Sequence, residues 1–217
     1  MKTKINAQIV AHSVNEQGDE LISVLATFPR IILAEVNTHR MLSKNTSSSR
    51  AIPFKKMIQA VGENPFVPIA FQKEHSGMQG TEYITDELEI QTAKDIWHAS
   101  LDKAIKEARN LTSHGVTKQL ANRLLEPFMW TTMIITGPKS GWNNFFNLRC
   151  PQYNIGEGKF YKSKKDALKD LQNRGIDTEL AEMFTITDFD WLKANKGQAE
   201  IHIMDLAEKI WDACNES

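Results

Sequence analysis

From Asp86 to Ser113 the apolar residues Ile90, Ala93, Ile96, Trp97, Leu101, Ala104, Ile105 and Ala108 recur at steps of three and four. That spacing gathers them on one stripe and predicts a long amphipathic helix, which draws its stability from packing the stripe against the rest of the chain. A second strong pattern follows. Phe128 to Thr136 (FMWTTMIIT) is rich in β-branched and aromatic residues and predicts a strand, bounded by the Gly137-Pro138 breaker.

The flanking elements are shorter. Ala7 to Val10 predicts a first strand, Ser13 to Gly18 the turn after it, and Asp19 to Ala26 a short helix. Ile31 to Asn37 opens as a buried apolar run. Ile52 to Met78 mixes Gly62, Pro65, Pro68 and Gly77 with brief apolar runs, which suggests a short helix and then irregular structure. Thr117 to Leu125 predicts a helix ended by Pro127, and Ser140 to Leu148 a helix closing on Arg149. Ile201, Ile203, Met204, Leu206, Ala207, Ile210 and Trp211 make Gln198 to Ala213 a terminal amphipathic helix. Between these last two, Cys150 to Lys196 differs in character. It has clustered Lys and Asp, Gly156 and Gly158, and a short helix expected at Lys164 to Asn173, and is expected to be an insertion on one face at about residues 150–196.

The chain has 217 residues, enough for one domain (1–217) with a substantial core. A net charge of −1 weighs against a sequence-tolerant binder of nucleic acid polymers. No uninterrupted stretch approaches the roughly 20 apolar residues of a membrane span, and the N-terminus has no apolar signal core, so no membrane partner and a cytoplasmic location are expected. Cys150 and Cys214 form neither a disulfide framework nor a zinc-ligand set. His12, His75, His98, His114 and His202 show no metal-ligand spacing, and no metal is expected. The GxSxG, GxxxxGK[ST] and GxGxxG patterns are missing, so any flavin would be held without a Rossmann fingerprint. The tryptophans at 97, 130, 142, 191 and 211 are expected in the core rather than on a base-stacking platform.

The chemically dense part is Asn37 to Arg50, NTHRMLSKNTSSSR, where hydroxyl, amide, imidazole and guanidinium groups crowd together without strand alternation or a helical stripe. A phosphate monoester site needs donors converging on a few oxygens, and Arg40, Ser47, Ser48, Ser49 and Arg50 supply such a set, with Arg123 and Arg149 available from elsewhere. A solvated, serine-rich turn explains the same residues equally well. His39 taken singly is open between proton shuttle, cofactor contact and satisfied core histidine.

THRMLSKNTSSSR resembles the RHRxxSxNxxSxRY signature of the flavin-dependent thymidylate synthases, with His39, Arg40, Ser43, Asn45, Ser48 and Arg50 on signature positions. NRLLEP around Arg123, NNFFNLR ending at Arg149 and the terminal QAEIHIMDLA are similar to further stretches of that family, in the same order. The resemblance implies an α+β fold with an antiparallel sheet and long helices, assembled as a homotetramer whose active sites are shared between subunits. It also implies FAD as cofactor, NADPH and methylenetetrahydrofolate as co-substrates, and reductive methylation of dUMP to dTMP with no cysteine nucleophile. By position, Ser47, Ser48, Ser49, Arg50 and Arg123 would bind the nucleotide. Arg149 would bind it too, as the catalytic group that stabilises uracil ionising at N3. Thr38, His39, Arg40 and Asn144 would contact FAD.

The chain departs from the signature in places. Thr38 stands where the first arginine is usual, Thr46 for a glutamate and Ala51 for the tyrosine, and no histidine-containing cofactor loop is recognisable between Val14 and Pro29. Two other functions therefore accompany the first: a related flavin- and folate-dependent hydroxymethylase of a pyrimidine nucleotide, and a non-catalytic nucleotide-binding relative.

Overall fold

A four-stranded antiparallel sheet organises the chain in the computed structural model, which describes residues 3–76, 82–154, 158–177 and 199–216. Its strands are β1 (Asn6–Val14), β2 (Glu20–Pro29), β3 (Ser43–Thr46) and β4 (Trp130–Pro138), in the order β1-β2-β4-β3. β2 and β4 pair with Leu25 opposite Ile134, and β3 adds to the far edge of β4 with Asn45 opposite the same residue. A register shift between Ile9 and Ala11 marks a bulge in β1. The fold is α+β with an antiparallel sheet, as expected from the resemblance.

β2 corrects the helix expected over Asp19 to Ala26. Ile22, Val24, Ala26 and Phe28 are buried at every second position, the period of a strand with one covered face. Leu21 and Leu25 lie on the opposite face, where Leu21 is exposed. β2 also fills the stretch in which no cofactor loop was recognisable. β3 is a second difference: Ser43–Thr46 is a strand although its sequence, SKNT, carries no apolar alternation.

The covered face packs under α5 (Lys139–Arg149) and the terminal helix, here α7 (Ile201–Glu216). Val24, Ala26, Phe28, Met133 and Ile135 from the sheet meet Trp142, Phe145, Phe146, Ile203, Leu206 and Ile210 from the helices. Burying each such large side chain is worth about 1.5–3 kcal/mol, so this layer is the main anchor of α5. The opposite face carries hydroxyl pairs, Ser23 with Thr136 at 2.7 Å and Thr27 with Thr132 at 3.0 Å.

A second core joins α2 (Phe54–Glu63) and α3 (Glu87–Ser113) to a 3₁₀ segment, Asn122–Phe128, through Met57, Val61, Leu101, Ala108, Leu125 and Phe128. α3 is the long helix that the periodicity predicts, capped by Asp86, whose carboxylate accepts from the Glu89 amide. The helix expected over Thr117 to Leu125 is instead a short α4 (Lys118–Ala121) that tightens into the 3₁₀ segment, with Pro127 inside it rather than ending it.

After Arg149 come two short paired strands, β5 (Tyr153–Asn154) and β6 (Phe160–Tyr161), and α6 (Lys164–Asn173). Glu208 of α7 pins them, accepting from the Tyr153 hydroxyl at 3.0 Å and the Lys164 amide at 2.7 Å. The remainder of the segment expected to be an insertion, with Gly156, Trp191 and residues 178–196, lies largely outside the described residues. Among the described residues no helix is long and apolar enough to cross a membrane.

Candidate active site

α1 (Leu33–Asn37) ends in a turn that delivers Thr38, His39 and Arg40. The Thr38 and His39 amides donate to the Glu35 and Val36 carbonyls, and the Leu42 amide to the His39 carbonyl, so the turn is fixed by its own backbone. Lys44 Nζ donates to the same His39 carbonyl and, at 2.8 Å, to that of Leu42. The Met41-Leu42 corner rests on two glycines. A Cβ at Gly137 would meet Leu42 Cδ2 at 2.4 Å, and one at Gly141 would meet Leu42 and Met41 at 3.2 Å. This close approach brings the turn against α5, whose last turn carries Arg149.

There the signature histidine meets the distant arginine. Arg149 Nε donates to His39 Nε2 at 3.0 Å, and the His39 ring stands edge-on to Phe145 with centroids 4.8 Å apart. Arg149 Nη2 also reaches Thr38 Oγ1, at 3.5 Å, a contact long enough to contribute little. Burial, and after it the charges of Arg149 and Lys44, push the His39 imidazole down to about 4, so it is neutral near pH 7. Arg40 and Asn144 are exposed on the same two elements, and their side chains make no hydrogen bond among the described residues.

A second group forms around Ser47 to Arg50, one short strand away. One segment, Lys118 to Glu126, grips this loop from below. Gln119 Oε1 accepts from Arg50 Nη2 at 2.8 Å and Nε at 3.1 Å, and Asn122 Nδ2 donates to the carbonyls of Ser49 and Ile52 at 2.8 and 3.0 Å. Glu126 Oε1 accepts from Ser49 Oγ at 2.5 Å and faces Arg30 Nη2 at 3.3 Å. Ser49 is therefore turned inward and 2% exposed, whereas Ser47, Ser48 and Arg50 face solvent. Arg123, beside Asn122, is exposed and free of side-chain hydrogen bonds among the described residues.

The structure thus brings Thr38, His39 and Arg149 together, and separately Ser49, Arg50 and the Arg123 segment. No hydrogen bond among the described residues joins the two groups, and the four residues of β3 span about 14 Å between them. Glu126, Asn122, Gln119, Arg30 and Lys44 were not singled out from the sequence. The available signal was the family-like stretches themselves, since Asn122 and Glu126 stand in NRLLEP and Lys44 in THRMLSKNTSSSR.

Neither cysteine lies in a reactive setting. Burial pushes the Cys150 thiol far above its ordinary range and that of Cys214 up to about 11.

Among solved structures, the chain is similar to the UMP/dUMP methylase PolB from Streptomyces cacaoi. With 5-Br dUMP bound, that structure shows a TM-score of 0.56 and 13% identity over 91% of this chain and 98% of the other. With 5-Br UMP bound, the values are 0.57 and 14% over 91% and 97%. At such identity the likeness is one of fold. No curated protein matches the sequence. The family model of the thymidylate synthase complementing protein matches residues 12–181, which include both groups of candidate residues. The chain belongs to the thymidylate synthase complementing protein family.

Proposed function

We propose that this protein is a flavin-dependent thymidylate synthase that reductively methylates dUMP to dTMP, with FAD as cofactor and methylenetetrahydrofolate and NADPH as co-substrates. The observation that carries the proposal is the contact between Arg149 and His39. Within a chain of this family, two family-motif residues 110 positions apart meet at hydrogen-bond distance.

The donors present suit the groups they would hold. Arg40 and Asn144 offer a guanidinium and an amide at the surface of the turn and the helix that carry His39 and Arg149, a set suited to the phosphates and polar ring edge of FAD, while the Thr38 hydroxyl, which donates to the Glu35 carbonyl at 2.6 Å, offers an acceptor. Bound there, FAD supplies the hydride that completes the methyl group. Arg50, Ser47, Ser48 and Arg123 take the nucleotide phosphate, and the terminal nitrogens of Arg149 favour negative charge developing at uracil N3. Ser49 and Glu126 hold the phosphate loop in shape. Cys150 stays a buried thiol, which fits a route that needs no cysteine nucleophile.

The separation of the two groups along β3 supports sites completed across subunits, and with them a homotetramer. The segment at about 150–196 remains proposed as an insertion within a single domain. The solved relatives bound to uridine nucleotide analogues support a pyrimidine nucleotide as substrate. The test is an absorbance titration of the purified protein with FAD, followed by anaerobic NADPH and dUMP. Bound flavin that bleaches supports the proposal, and a protein that takes up no flavin defeats it in favour of a non-catalytic nucleotide-binding relative.

A further inference from the structure

His39 lies between two cations. Arg149 approaches its ring from α5, and Lys44, on β3, donates to its carbonyl. An arginine has no acceptor and keeps its charge, so its N–H can bond an imidazole only at an unprotonated nitrogen. Nε2 of His39 is therefore that nitrogen, and the ring proton resides on Nδ1. Two surroundings lock the ring in this orientation: it is 6% exposed, and the Phe145 ring meets it at an interplanar angle of 81°. Arginine has several freely turning bonds, but its guanidinium is planar. Fixing Nε–H against a rigid acceptor therefore fixes the plane in which the two terminal nitrogens lie.

We propose that His39 is a positioning residue for Arg149, its unprotonated Nε2 holding the guanidinium plane so that the terminal nitrogens are presented edge-on to a planar anionic ligand, the ionised imide of a pyrimidine. The inference rests on the nucleotide role given to Arg149 and extends it by assigning the histidine to the arginine. Cofactor contact at this turn is then left to His39 Nδ1–H, Thr38, Arg40 and Asn144. The depressed proton affinity of His39 agrees with this arrangement: burial lowers it most, and a protonated ring would in addition lose the Arg149 bond and face Arg149 and Lys44 as a third cation.

Binding of dUMP to the full chain, with FAD supplied, is measured by calorimetry for the wild type, His39→Leu, Arg149→Leu, their combination and His39→Gln. The expected result is a loss of at least about tenfold in affinity for each leucine variant. The combination should be within about twofold of Arg149→Leu alone, because the two residues act as one unit. Glutamine places an acceptor where Nε2 was and should restore most of the affinity, which a residue that merely fills space would not require. Losses that multiply in the combination, or wild-type affinity in His39→Leu, overturn the proposal. Histidine ¹⁵N spectra of the wild type decide the contact independently of binding and of whether a variant folds. Nε2 must be unprotonated at neutral pH, and a protonated Nε2 overturns the proposal. A wild type that shows this Nε2 and yet binds no dUMP refutes the nucleotide role of Arg149, and with it the ligand-presenting half of the inference.

Discussion

Ser49 Oγ donates to Glu126 Oε1 at 2.5 Å across 77 residues of sequence, and this bond turns the third hydroxyl of the serine run away from solvent. The same carboxylate faces Arg30, whose side chain is 13% exposed, so the loop is tied to a partly buried cation through one intermediate. A hydrogen bond to an ionised group contributes about 1.5–3 kcal/mol. Ser49→Ala should destabilise the fold by that amount in urea unfolding, and Glu126→Gln, which keeps an acceptor, by less. An unchanged midpoint for Ser49→Ala would show that the bond does not hold the loop.

Arg149→Lys should lower turnover by about 10²-fold or more while leaving the far-ultraviolet circular dichroism as it is. Lysine keeps the charge but loses both the planar fork and the Nε donor to His39. Near wild-type turnover in this variant would remove Arg149 from the chemistry.

His39 also makes stability depend on pH. Its folded value of about 4 lies below the ordinary 6.5, so between these limits the unfolded chain binds more protons than the folded one. The contribution is fully present above pH 6.5 and is lost as pH falls toward 4, amounting to up to about 3 kcal/mol. His39→Gln should flatten the stability curve in that window relative to the wild type. An identical pH slope in both proteins would show that the ring titrates normally.

The thiols should be dispensable. A protein carrying Cys150→Ala and Cys214→Ala is expected to retain turnover, and native Cys150, 2% exposed, should resist alkylation at neutral pH. Loss of activity in the double variant, with structure intact, would point to covalent catalysis.

How far the sequence could be read depended on whether the relevant force is local. α3 and β4 each carry a period or a propensity strong enough to show in one dimension; α3 lies where expected, whereas β4 (Trp130–Pro138) starts two residues later and runs through the Gly137-Pro138 pair expected to bound it. β2 was expected to be a helix, and what makes it a strand is pairing with β1 and β4 on either side. β3 has no pattern of its own and exists because the edge of β4 accepts it. In the site, Arg149 and Arg50 were visible through the family motif. Ser49 was grouped with its neighbours, and its inward turn depends on Glu126 and Asn122, which approach from an element far along the chain. The acceptor role of His39 likewise needed the geometry, since spacing alone leaves the state of a histidine open.

The most direct test of the central claim is the mass of the nucleotide formed when the purified protein is incubated with dUMP, FAD, NADPH and methylenetetrahydrofolate. A product heavier than dUMP by one CH₂, formed only when every component is present, is the predicted result. A product carrying a hydroxymethyl group, or unchanged dUMP beside a flavin that NADPH has reduced, would contradict it.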